Sequence, residues 1–173
     1  MTLTVEIGQA APESNSYLSE ADAIRLLPSF LMEEWNAYTP DERIDRLVIA
    51  SHFINDSFAW LGKRKTFEQG LAWPRTGVIY QGHLVPDNRV PPIIKRACIA
   101  ALKLIQQFGL EVFQATGEAQ VKRERLAVIE TEYFDPGLKV AYETAYNDIN
   151  NMLRGFYAAM PKGGVVSSEV IRV

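Results

Sequence analysis

The segment Trp60-Leu61-Gly62-Lys63-Arg64-Lys65-Thr66-Phe67 sets three consecutive cations between two aromatic residues. Such a run can neutralise backbone phosphates while a ring stacks on a base. That makes Lys63, Arg64 and Lys65 the candidate nucleic-acid contacts, with Trp60 or Phe67 as the stacking partner. The same residues also suit a helix end, where cations meet the negative end of the helix dipole and both rings fold back on the core. Three charges are few, and the helix-end reading is the preferred one at this point. A second cluster, Lys122, Arg123 and Arg125, lies among Glu118, Glu124, Glu130 and Glu132, and reads as a solvated or intersubunit strand rather than a DNA groove.

Other chemistry is thinly represented. The two histidines, His52 and His83, have no Cys or carboxylate at a metal-ligand spacing, so neither a metal nor a cofactor is expected. There is no Gly-x-Ser-x-Gly elbow, no phosphate loop ending in Gly-Lys-Ser/Thr and no Gly-x-Gly-x-x-Gly fingerprint, and the expectation is a protein that is not an enzyme. The lone Cys98 sits in the apolar run Ile94 to Leu104 and reads as a small core residue; with no second cysteine to pair, it fits a reducing cytoplasm.

The elements that must position these residues follow from periodicity and capping. With 173 residues, 47% of them hydrophobic, the chain can bury one substantial core. A net charge of −3 argues against a surface that grips phosphate everywhere, though a local basic patch is compatible with it. No run approaches the roughly 18 apolar residues of a membrane span, and Met1 to Ala11 lacks the order of a secretory signal. Ser19-Glu20-Ala21-Asp22 opens a first helix through Leu27, which Pro28 breaks or bends. Thr39-Pro40-Asp41-Glu42 opens a second, with Ile44, Leu47, Ser51, Ile54, Phe58 and Leu61 on one stripe and an end expected at Gly62.

A third helix starts after Pro91-Pro92, places Ile94, Ala97, Cys98, Ala101, Leu102, Ile105 and Phe108 on one face, and stops at Gly109. The thirty or so residues between these two helices are Gly- and Pro-rich, longer than compact domains usually leave irregular, and are expected to carry a function. Val121 to Phe134 alternates imperfectly and reads as a strand or hairpin arm; a last helix follows Asp135-Pro136-Gly137. The fold class is therefore mainly α: a small bundle of about four helices with a long loop, a β arm near 121–134 and an extended tail. The domain division is an arm over 1–14, a helical domain over 15–160 and a tail over 161–173, rich in β-branched residues and in need of a partner.

Within the long loop, Leu71-Ala72-Trp73-Pro74-Arg75 has the makings of architecture: an aromatic anchor, a proline that stiffens the exit and an arginine expected to pair with a carboxylate. Together with Pro91-Pro92-Ile93-Ile94-Lys95-Arg96-Ala97, this motif resembles the head–tail adaptor family of tailed bacteriophages, over about Asn15 to Tyr157. Some members of that family carry the label DnaT-like single-stranded-DNA-binding protein. The chain departs from the family's pattern at Leu126-Ala127, where relatives often have Gly-Pro.

The resemblance implies a structural virion protein at the head–tail junction, assembled in the host cytoplasm, with the portal protein and a tail-side connector or tail-terminator protein as partners. It further implies a closed ring of about twelve copies that lines the channel for passing double-stranded DNA without specific binding and touches no membrane. On that view Pro161, Lys162, Val165, Val166, Val170, Ile171, Arg172 and Val173 bind the portal, and Arg123, Arg125, Ile129 and Tyr133 meet neighbouring subunits. The alternative, carried by the second label, is a single-stranded-DNA-binding protein of replication that uses Lys63, Arg64 and Lys65.

Overall fold

The computed structural model of the protein describes residues 2–109 and 136–158. Over these the chain is mainly α, with helices α1 (Glu20–Leu26), α2 (Ser29–Ala37), α3 (Pro40–Asp56), α4 (Pro92–Phe108) and α5 (Pro136–Met152). Two small antiparallel hairpins lie between α3 and α4: β1 (Lys63–Arg64) with β2 (Arg75–Thr76), and β3 (Ile79–Tyr80) with β4 (His83–Leu84). The strand arm near 121–134 and the tail over 161–173 lie outside the described residues, as do the interface candidates Arg123, Arg125, Ile129 and Tyr133. So do the candidates Pro161, Lys162, Val165, Val166, Val170, Ile171, Arg172 and Val173.

Local chemistry starts α1 and α3 where expected. Ser19 Oγ accepts from the Asp22 N–H at 3.0 Å while the Asp22 carboxylate accepts from the Ser19 N–H. Thr39 and Glu42 repeat this reciprocal cap on α3, so two otherwise orphaned donors are satisfied at each start. α3 and α4 then pack face to face. Leu47, Ala50, Ser51 and Ile54 meet a helix whose buried positions include Ile94, Ala97, Cys98, Ala101, Leu102 and Ile105, with Ile149 and Leu153 closing the core from the α5 side. The small residues of α4 permit close approach, and each large aliphatic so buried contributes about 1.5–3 kcal/mol. The polar break in the α3 stripe has a purpose: Ser51 Oγ lies 3.1 Å from Ser16 Oγ and accepts from the Tyr17 N–H at 3.0 Å, which fastens the chain ahead of α1 to the core.

Three features depart from the sequence reading. α3 stops at Asp56 instead of Gly62, because Trp60 turns inward, donates its indole N–H to the Asn55 carbonyl at 2.9 Å and packs edge-on to Trp73. Phe58 stays buried while Leu61 is left exposed. A helix also follows Pro28 directly: α2 buries Trp35, over which the Arg43 guanidinium lies. Finally, residues 3–7 pair within the chain, Val5 bridging Ser16, and Glu6 is fully buried.

Candidate nucleic-acid interface

β1 and β2 run antiparallel in the register Lys63 with Thr76 and Arg64 with Arg75, and Lys65–Pro74 forms the loop between them. The turn into β1 needs a glycine: Gly62 has φ +71°, and a Cβ there would stand 2.4 Å from the Thr76 carbonyl oxygen. Opposite it, Arg75 spreads its guanidinium over main-chain carbonyls, donating to Leu61 at 2.6 Å, Gly62 at 2.8 Å, Ala72 at 3.2 Å and Trp60 at 3.3 Å. The expected carboxylate partner of Arg75 is thus replaced by four carbonyls, which suits a planar five-donor fork at a chain reversal.

The rest of the motif is anchored from below. Trp73 is fully buried between Trp60 and Phe156, its backbone N–H donating to the Tyr17 hydroxyl at 3.1 Å. The Tyr17 hydroxyl in turn donates to Asn55 Oδ1, which also accepts from the Ala72 N–H. Burial drives the Tyr17 hydroxyl well above the usual range, so it remains a neutral donor. Gln69, also buried, donates to the carbonyls of Leu71 and Pro74 and accepts from the Thr66 N–H at 3.0 Å, while Arg64 donates to the Gln69 carbonyl at 2.9 Å. Leu71 and Ala72 are buried as well, and Trp73-Pro74 is a cis peptide. Leu71 to Arg75 therefore forms the foundation of the loop.

Above this foundation the loop presents Lys63, Arg64 and Lys65, all exposed, and Phe67, 89% exposed. The helix-end reading of these cations does not hold, since α3 ends seven residues before Lys63. The two flanking rings separate in role: Trp60 folds onto the core and is committed there, whereas Phe67 is exposed and has no ring contact among the described residues. Among the described residues the ion pairs are Arg25 with Asp22 and Lys95 with Asp22, so no described carboxylate pairs with a cation of this hairpin. Burial, together with the Arg64 charge opposite, pulls Arg75 down from its ordinary range. Like charges facing each other across a ladder are unfavourable without a counter-anion.

The N-terminal segment buttresses the loop, a role that sequence reasoning missed. Glu6 accepts from the N–H groups of Gly8, Gln9, Ala10 and Ala11. The turn so held takes the Lys65 ammonium on the Gly8 carbonyl at 3.2 Å and the Gly70 N–H on the Ala11 carbonyl at 3.1 Å. The signal was an isolated acid two residues ahead of a glycine, which by itself specifies no cradle.

Elsewhere the chemistry is sparse. His52 and His83 are exposed, and no group of three or more His, Cys, Asp or Glu gathers at metal-binding distance among the described residues. Burial pushes the Cys98 thiol far up, which makes it a packing residue. No helix among the described residues is long and apolar enough to cross a membrane.

A family model described as "Putative DnaT-like ssDNA binding protein" matches residues 1–173. Neither the curated proteins nor the solved structures contain a match. The family match overturns the expectation of a bacteriophage virion component forming a twelve-fold head–tail connector ring, because the family is described by single-stranded-DNA binding and not by a virion junction.

Proposed function

The chain belongs to the DnaT-like ssDNA binding family, and we propose that it binds single-stranded DNA on the Lys63–Phe67 loop. The observation that carries this reading is the pairing of three exposed cations, none neutralised by a described carboxylate, with the solvent-standing ring of Phe67 on a loop whose base is tied down through Tyr17, Asn55, Gln69 and Arg75. Each part has a task. Lys63, Arg64 and Lys65 replace the counterions of successive phosphates, and Phe67 offers a π-face that any base can stack on. Because the contacts are to phosphate and to ring faces, the binding tolerates any sequence and involves no covalent step. A net charge of −3 keeps the rest of the surface from holding duplex by bulk attraction.

The test is fluorescence anisotropy with a labelled thymidine oligomer across a salt series. Three phosphate contacts give a log–log salt slope of about −2 and an affinity loss of roughly twentyfold between about 50 and 200 mM salt. Replacing Lys63, Arg64 and Lys65 together by Gln flattens that slope and removes most of the affinity. Phe67→Ala keeps the slope and loses about 1–3 kcal/mol, with the melting temperature unchanged because the ring is exposed. A parent protein that does not bind at low salt, or a triple variant that binds like the parent, would refute the proposal.

A further inference from the structure

The loop does not end at Lys65. Gly8, whose carbonyl takes the Lys65 ammonium at 3.2 Å, lies pressed against the chain just ahead of α4. A Cβ on Gly8 would stand 2.1 Å from the Asn88 carbonyl oxygen and 2.6 Å from the Arg89 Cα, and its φ of +110° is one that glycine tolerates. Adding the covalent distances within a glycine puts the Lys65 nitrogen within about 10 Å of the Arg89 Cα. Arg89 is exposed, and no described ion pair includes it. It also lines a groove of about 420 Å³ whose walls include Tyr80, Leu84, Pro86, Ile93 and Phe156. Tyr80 leans on Phe156 with ring centroids 4.4 Å apart, so the groove is walled by rings and aliphatic surface with a cation at its edge.

We infer that the single-stranded DNA held at Lys63–Lys65 continues over the outside of the turn around Gly8 to Arg89, which takes a further phosphate while a base enters the groove beside Tyr80. This rests on the single-stranded-DNA reading of the loop. The arrangement supplies what a strand needs along its length: cations spaced within the reach of an extended backbone, and apolar or aromatic surface between them for bases. Gly8, itself buried, sets the spacing, because any side chain there would push Arg89 away from Lys65.

The experiment compares the parent with Arg89→Gln on thymidine oligomers of about 4 and about 12 nucleotides, the short one filling the loop alone and the long one able to reach the groove. The expected result is a parent that binds the long oligomer more tightly per nucleotide. The variant loses about three- to tenfold on the long oligomer, with a salt slope shallower by about 0.7, and matches the parent on the short one. Equal melting temperatures of the two proteins, expected for an exposed side chain, exclude misfolding as the cause. A variant that equals the parent on both lengths, or loses equally on both, overturns the path while leaving the loop reading standing. A parent that binds neither oligomer overturns both.

Discussion

Glu6→Gln should be disproportionately damaging for a substitution that changes one atom. Glu6 is fully buried, and its Oε1 accepts from Gly8 at 2.6 Å, Gln9 at 2.7 Å and Ala10 at 3.1 Å, while Oε2 accepts from Ala11 at 3.1 Å. All four donors are main-chain N–H groups of one turn, so the negative charge is solvated by the backbone in place of water. Gln can keep one oxygen towards Gly8, Gln9 and Ala10, but its amide nitrogen then faces the Ala11 N–H, donor against donor. The loss comprises the charge assistance on the retained bonds and one buried donor left unmatched, about 2–4 kcal/mol together. Urea unfolding followed by tryptophan fluorescence measures it. With an m-value of about 2 kcal/mol/M the midpoint should move down by roughly 1–2 M while m stays constant. Because the same turn receives Lys65 and Gly70, single-stranded-DNA affinity should fall with it. A Gln variant within about 0.5 kcal/mol of the parent would refute the argument that the carboxylate organises this turn.

Trp73→Ala empties the space between Trp60 and Phe156 and should cost about 3–5 kcal/mol in thermal or urea unfolding. Trp73→Phe should cost far less, since the indole N–H has no hydrogen-bond partner among the described residues; equal losses would contradict that account. Asp22→Asn tests the pH dependence: burial pushes the Asp22 carboxyl up, but the Lys95 ammonium at 2.8 Å and the Ser19 N–H outweigh this and leave it below its ordinary value. A depressed carboxyl stabilises the fold above its unfolded pKa of about 3.9 and loses that contribution as pH falls through the folded value. The Asn variant should therefore melt lower than the parent near neutrality, by about 1–2 kcal/mol, with the gap closing below about pH 4. A gap that stays constant from pH 7 to about pH 3 would show that the charge is immaterial.

The starts of α1 and α3 were legible because their determinants are local, whereas α2 has no side-chain cap to announce it. Thr39 and Glu42 stand three residues apart, and the bonds between them form as their spacing dictates. The buried face of α4 was equally readable, from Ile94 through Ile105. The end of α3 was not, because what stops it lies far along the chain: Arg75 gathers the carbonyls of residues 60–62, and the Leu61 N–H goes to the Phe156 carbonyl. The cations of the candidate site were found by type and spacing, but Phe67 and Trp60 have the same apolar character in sequence. Their opposite fates, one in solvent and one in the core, follow from the position of Trp73. Arg89 escaped notice because nothing within ten residues of it signals Gly8, and that proximity arises only through a contact 81 positions back along the chain.

The long-range bonds under the Leu71–Arg75 motif bear on how this loop can be engineered. Tyr17 reaches Trp73 across 56 positions, Asn55 reaches Ala72 across 17, and Lys65 reaches Gly8 across 57. A graft of residues 60–77 onto a foreign scaffold would keep the cations, Phe67 and the Arg75 and Gln69 bonds internal to the loop, but neither the Tyr17 hydroxyl nor the Glu6 turn that anchor it from below. Conversely, native-state hydrogen exchange should find the Ala72 and Trp73 amides protected to nearly the level of the α3–α4 core, since exposing them requires detaching the chain ahead of α1 as well. A loop that sits at the surface would thus open only with the molecule as a whole.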